Sequence, residues 1–426
     1  MSLRPRPGPR LALPALGALL SAAAFLQGGF HLPQLVPLTT AAFVAACLTF
    51  TGRIDRGVLT GFCALAAALV TSAAANGFPD QAIKPALTLV FCVSVFVVAD
   101  QARSREGSDT VLDAVTGVAL VVAALGLIGV VFHLDAWAFR DRAWRLASTL
   151  TYQNAAAALF AVALPAALAR AAESAMARLA AVLLTVSLAA TQSRAGAMAA
   201  VLGIATLAAL SGIQRAWLRV ALGAMIAGGS MAPSLTGSGY RQTIAVAGIG
   251  LGCWVAASRR EVGGARATAV LTAVAAAAVV LAVATLSTPL RDRLSAWSND
   301  RTRVWTETIE RVDEHPVFGT GPGTYRLVTQ QNGSRLTVLH AHNEYIQVTA
   351  ETGLAGLAGV LAAIALIGRA LWRARPRNAD PHWAAAAGAG VAFLAHSGFD
   401  FLWRVPVLPA IAFVLLAAGL GARPRA

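Results

Sequence analysis

Apolar and polar positions follow each other along this chain in long blocks, without the helical or two-residue spacing of amphipathic elements. Apolar blocks occupy residues 11–30, 34–50, 57–75, 82–99, 111–132, 153–169, 179–192, 195–211, 217–233, 242–258, 267–287, 346–368, 383–399 and 405–422. Blocks of this kind cross a hydrocarbon layer of roughly 30 Å as helices. They predict an all-α, polytopic integral membrane protein with about 12 to 14 transmembrane helices. Most connections are short and polar, but residues 133–152 and 288–345 form longer segments. The chain therefore divides into N-terminal helices over 1–132, central helices over 133–287, a large loop over 288–345 and C-terminal helices over 346–426.

Composition agrees: 57% of the 426 residues are hydrophobic and 13% are charged, more apolar surface than a soluble core of this size needs. Charge then orients the chain, because cytoplasmic loops concentrate Lys and Arg near the span ends. With Arg4, Arg6 and Arg10 inside, the alternate connections are basic: Arg53 and Arg56, Arg103 and Arg105, Arg170 and Arg178, Arg215 and Arg219, Arg259, Arg260 and Arg266, then Arg369 to Arg377, and Arg423 and Arg425. Both termini are expected in the cytoplasm and both long segments outside. The net charge of +14 is then a topology signal, and a nucleic-acid partner is not needed to explain it. The basic, small-residue start of the chain resembles a signal peptide and is read as an uncleaved first span.

Cys47, Cys63, Cys92 and Cys253 lie inside apolar runs at unrelated spacings, so neither a disulfide framework nor a CxxC metal site is expected. The long loop is more informative. Asp300 is placed to cap a helix with Trp305, Ile309 and Val312 on one face, and His315 and Pro316 end it. The run FGTGPGTY follows, with Gly319, Gly321 and Gly323. It reads either as a tight turn or as backbone N–H groups offered to an anion.

Two ionisable residues at span ends have two readings each. Arg194 is either an interfacial arginine with its head in water or an anion site, since guanidinium binds phosphate through a planar fork and keeps its charge. His342 is either a hydrogen-bonded structural residue or a base, because a neutral imidazole near pH 7 can take a proton from a hydroxyl. Asn343 stands beside it, able to orient it or a substrate. Glu351, Gly353 and Gly356 follow on the next helix, where small residues permit close helix contact.

Three ordered motifs, TQSRAG at 191–196, RTRVWTETIERVDEHPVFGTGPGTY at 301–325 and HAHNEYIQVTAETGLAG at 340–356, together resemble the O-antigen ligase and polymerase superfamily. Upstream, Arg145 and the Asn154 that opens a span are similar to that family as well, whereas Ala195 stands where many members have glycine. The resemblance implies a GT-C-type, all-helical glycosyltransferase with one large periplasmic loop containing short helices. It moves a glycan from undecaprenyl diphosphate in the bacterial inner membrane to an acceptor hydroxyl at the periplasmic face, by a single inverting displacement and without metal or cofactor.

In that reading His342 is the base. Arg194 and Arg301, with Arg303 and Arg145 as helpers, neutralise the diphosphate, and Asn343, His340, Trp305, Gly321, Gly323 and Asn154 support the site. The expected partners are the carrier-linked glycan, lipid A core or another glycan acceptor, and membrane lipids. A ligase is preferred; a polymerase that joins carrier-linked units shares the same motifs. A transporter is the reading from another class, with Arg194 and Asp400 as intramembrane charges. The large outside loop and the position of Asp113 and Asp400 near span ends count against it.

Overall fold

A computed structural model describes residues 11–51, 54–141, 143–237, 240–258, 299–331 and 334–422. Fourteen α-helices lie among the described residues: α1 (Ala12–Phe25), α2 (Leu32–Thr49), α3 (Arg56–Ala75), α4 (Ile83–Glu106), α5 (Ser108–Phe132), α6 (Gln153–Ala169), α7 (Ala175–Thr191), α8 (Arg194–Ser211), α9 (Arg215–Thr236), α10 (Arg241–Ala257), α11 (Asn299–Val312), α12 (Glu344–Arg373), α13 (Pro381–Ser397) and α14 (Val407–Gly419). Each apolar block within the described residues coincides with one of them. The block at 267–287 lies outside the described residues, as do residues 288–298 of the long loop and Arg4, Arg6, Arg10, Arg53, Arg259, Arg260, Arg266, Arg423 and Arg425. Helices α2, α3, α5, α8, α9 and α12, and α4 with its leading turn from Asp80, are long and apolar enough to cross a membrane.

Polar residues start several of these helices. Asp55 accepts from the N–H groups of Gly57 and Val58, Ser174 from Ala177, and Asp380 from His382 and Trp383, each satisfying donors that a helix start leaves free.

Helix α6 is the axis of the bundle. Every residue from Asn154 to Ala169 is buried, as expected of a helix that is apolar all round. Its alanines let neighbours approach closely, and glycines extend this to the next layer. A Cβ at Gly196 of α8 would stand 2.6 Å from that of Ala157, and one at Gly388 of α13 would stand 2.5 Å from the Gly203 carbonyl oxygen. Helices α3 and α12 form an antiparallel pair by the same means: Gly61 faces Ile367 and Gly359 faces Ala68.

The chain alternates direction, so one end of the bundle collects Asn154, Arg194, Asn343 and Ser397. The opposite end is closed by an ionic network in which Arg170 meets Asp109 at 2.9 Å, Asp113 at 3.3 Å and also Glu173. There His382 bridges Asp109 and Asp380.

The all-α expectation is amended by two short antiparallel hairpins. Strand β1 (Ala138–Arg140) pairs with β2 (Trp144–Leu146), and β3 (Leu327–Gln331) with β4 (Ser334–Val338). The Val- and Thr-containing alternation of LVTQQ and SRLTV suits a pleated, half-buried surface.

Helix α11 differs from its sequence reading in two ways. It already includes Asn299, so Asp300 lies within its first turn and does not precede it. Its inward face is Val304 and Thr308, packed on Tyr325, Leu327 and Ala341 with Trp305 partly buried, whereas Ile309 is exposed. The face is set by the small core that the loop builds for itself.

Candidate functional site

The segment between β4 and α12 places His342 where a histidine is sterically strained. Its φ of 52° lies in the left-handed region, which non-glycine residues occupy infrequently and which clusters at functional positions. Asn343 then caps α12, its side-chain oxygen accepting from the N–H groups of Tyr345 and Ile346 at 3.1 and 3.2 Å. Left-handed residue and cap together fix where the imidazole stands.

Asp400, from the turn between α13 and α14, meets the imidazole. Its Oδ1 lies 3.1 Å from His342 Nδ1. The carboxylate is fully buried while the imidazole is one-third exposed. Asp400 also accepts from the Phe401 N–H at 2.9 Å and from the Tyr152 hydroxyl at 2.8 Å. The Tyr152 oxygen in turn accepts from Asn154 Nδ2 at 2.8 Å.

Burial alone would raise the Asp400 carboxyl. The hydrogen bond and charge of His342, with the positive Arg301, outweigh it and hold the group below its usual value. Burial, and next the Asp400 charge, push the Tyr152 phenol well above its own. Asp400 is therefore an anion accepting from Tyr152 and from Nδ1–H of His342. A neutral imidazole that donates Nδ1–H to this carboxylate carries its lone pair on Nε2.

Aromatic rings surround this pair. Phe401 stacks on Tyr152 at 5.2 Å and on His340 at 4.0 Å, and His342 meets it edge-on at 5.1 Å. His340 is thus brought into the site as a packed ring. Burial first, then the charges of Arg404, Lys84 and His342, push it down to about 3.

The candidate arginines lie on three elements. Arg301 of α11 donates to the Phe399 carbonyl at 2.8 Å, one residue from Asp400. Trp305, one turn later, donates to the Ala341 carbonyl at 2.8 Å, so α11 is tied to both sides of the His342–Asp400 pair. Arg145 of β2 donates to the Thr191 carbonyl at 3.0 Å, and Gln192 to the Trp144 carbonyl at 2.9 Å. Arg194 follows as the first residue of α8, exposed, with the Ser193 side chain capping that helix. The Gly196 contact with Ala157 sets this turn level with Asn154. Arg303 pairs with Glu307 of its own helix at 3.7 Å.

The glycine run has a definite partner. The N–H of Gly323 donates to the Glu351 carboxylate at 2.6 Å, and that of Gly321 to the Glu351 carbonyl at 2.8 Å. The anion held by this turn is a side chain of the protein itself. Helix α12 is interrupted to receive it: Gly353 has φ 68°, and Leu354 N–H donates to the Pro316 carbonyl at 2.8 Å. Glu351 further accepts from Gln347 at 3.0 Å and from Arg404 at 2.7 Å. Arg404 also approaches Glu344 at 3.4 Å. This buried cluster locks the loop, α12 and the Asp400 turn to one another.

Sequence reasoning did not find Tyr152, Phe401 or Arg404, and treated Asp400 only as a charge near a span end. The one local signal is the polar residues of GFDFLWR interrupting two apolar blocks.

Residues 179–361 match the O-antigen ligase family and carry the domain of the O-antigen ligase-like superfamily. Arg194, Arg301, His342 and Glu351 fall inside this stretch, whereas Arg145, Tyr152, Asp400 and Arg404 fall outside it. No curated protein matches the chain.

Proposed function

We propose, with the O-antigen ligase domain as premise, that this membrane glycosyltransferase is an O-antigen ligase. It transfers a glycan from undecaprenyl diphosphate to an acceptor hydroxyl on lipid A core or another glycan acceptor. The observation that supports this best is the His342–Asp400 pair, with a buried carboxylate on Nδ1 of an imidazole that is one-third exposed.

In this reading the acceptor oxygen attacks the anomeric carbon from the side opposite the diphosphate. The bond from that carbon to the phosphate oxygen breaks, and configuration inverts. The acceptor proton passes to His342 Nε2, and Asp400 stabilises the imidazolium and keeps its ring oriented. Tyr152 holds the second carboxylate oxygen, and Asn154 holds Tyr152. The diphosphate leaves with its electron pair, its charge met by Arg194 and Arg301, with Arg145 and Arg303 assisting. Planar guanidinium forks suit phosphate oxygens and stay charged at any working pH. Asn343 and Trp305 fix the His342 segment, Gly321 and Gly323 fix the loop through Glu351, and His340 packs the aromatic floor. The protein sits in the bacterial inner membrane with the site facing the periplasm and both termini in the cytoplasm, in keeping with the arginine pattern.

Purified protein given a carrier-linked glycan and lipid A core should yield transferred product and free undecaprenyl diphosphate. Growth of the carrier-linked glycan in place of transfer to lipid A core would make the protein a polymerase, and movement of the glycan across vesicles with no product would make it a transporter.

A further inference from the structure

The α3–α12 pair stands off from α4, α13 and α14, and the gap holds two cavities of about 130 and 300 Å³. They share Leu65, Val360, Ile364, Leu394 and Trp403, and so form one continuous groove. Its character changes along its length. At the site end it is lined by Lys84, Glu344, Glu351 and Arg404. Below these it is hydrocarbon, and it ends beside Trp372 and Trp383. These rings lie 6.1 Å apart with Arg375 over the face of Trp372, an aromatic and basic pairing typical of a membrane interface. From Leu354, just past the break at Gly353, to Trp372 the helix rises about 27 Å, close to the thickness of a hydrocarbon layer.

The head of the groove has one cation to offer. Arg404 is engaged by Glu344 and Glu351. Lys84 makes no ion pair among the described residues, and its ammonium lies 3.9 Å from the centre of the Phe30 ring. Phe30 meets His340, His340 stacks on Phe401, and Phe401 meets His342. A row of rings thus leads from Lys84 to the imidazole. Arg145 and the Tyr152–Asn154 pair come from β2 and the start of α6, which do not line the groove, and Arg194 opens α8 at the end opposite Leu210, the residue by which that helix lines the far part of the groove.

We propose that this groove holds the lipid anchor of the acceptor, with its hydrocarbon chain along α12, an anionic head group at Lys84, and its saccharide directed over the ring row to His342. The proposal rests on the transferase reading above and adds to it a second lipid site, separate from the arginines assigned to the donor diphosphate. The matched features are the long hydrocarbon wall and, at its head, Lys84, which has no ion pair among the described residues.

The test uses full-length protein in nanodiscs, with Ile364→Trp to fill the groove and Lys84→Gln to remove its cation. The unaltered protein first reports whether transfer from a carrier-linked glycan occurs at all, to lipid A core or to a second carrier-linked glycan. With lipid A core as the acceptor lipid, both variants are expected to raise its KM by about tenfold, a loss of about 1.4 kcal/mol, with the donor KM little changed, and transfer to a second carrier-linked glycan only would overturn the proposal. A rise in donor KM would assign the groove to the carrier and overturn the proposal, as would unchanged values for both substrates. Native mass spectrometry with lipid A and with undecaprenyl diphosphate reads binding without turnover. Loss of lipid A in both variants with undecaprenyl diphosphate retained supports the proposal even where no transfer is seen, and the reverse pattern overturns it. Should Ile364→Trp fail to fold, Lys84→Gln alone decides by the same readouts.

Discussion

His342 Nδ1 lies 3.1 Å from Asp400 Oδ1, across 58 positions of sequence. A base at the exposed edge of the ring needs the other nitrogen occupied by an acceptor, and Asp400 is that acceptor. His342→Ala is expected to lower turnover by about 10²- to 10⁴-fold, the usual contribution of a positioned general base. Asp400→Asn should approach the same loss, because an amide can present its N–H to Nδ1 and leave the proton on Nε2. Single-turnover transfer assays on variants with an unchanged gel-filtration profile check both, and full activity of His342→Ala would remove it as the base.

The arginines should separate by their geometry. Arg194→Ala is expected to reduce kcat/KM by about 10²- to 10³-fold, the scale of losing one donor to developing charge, and Arg194→Lys to recover only part of it because the planar fork is lost. Arg301 also donates to the Phe399 carbonyl beside Asp400. Arg301→Ala should therefore additionally distort the pH profile of transfer, which Arg194→Ala should leave in place. Rate measurements across pH distinguish the two.

The glycine turn makes a stability prediction. A Cβ at Gly353 would stand 2.2 Å from the Val317 carbonyl oxygen, at a φ of +68°. Gly353→Ala combines this clash with the cost, about 1–3 kcal/mol, of a backbone conformation (φ 68°, ψ −172°) that is essentially glycine-only and should undock the loop. Glu351→Ala leaves the buried Arg404 without its closer carboxylate and should cost about 3–5 kcal/mol. Lower thermal stability in detergent, together with reduced transfer, is the expected outcome for both. A Gly353→Ala protein as stable as its parent would show that the break in α12 is not required.

His340 supplies a pH dependence with a definite sign. Its ring titrates near 6.5 in the unfolded chain and is pushed down to about 3 in the folded one, chiefly by burial. Between those values the unfolded state binds more protons, so stability rises with pH. The native state is expected to lose stability as pH falls from 6.5 toward 3, and His340→Phe, which keeps a ring stacked on Phe401, should lose less over that window. Thermal unfolding at a series of pH values reads this directly, and parallel curves for parent and variant would contradict it.

Most of the helical framework was legible in the sequence by itself. The apolar blocks marked the helices because burial in lipid or in an alanine-rich core is a property of each local segment. The order of the Ser-Arg, Arg-x-x-x-Trp and His-Asn motifs identified Arg194, Arg301 and His342 as candidates. Local pattern failed where a contact was made by the fold alone. The inward face of α11 was misread because the loop packs on Tyr325 and Ala341, and the partner of the glycine turn was unknown because Glu351 reaches it through a break in α12. Tertiary structure alone decided that Asp400 serves both His342 and, across 248 positions, Tyr152. It alone joined Arg404 to Glu351. Hydropathy records how apolar a segment is, whereas a buried carboxylate's partners depend on which helix ends meet, and that meeting is decided by packing between helices far apart in the chain, as where Gly203 meets Gly388.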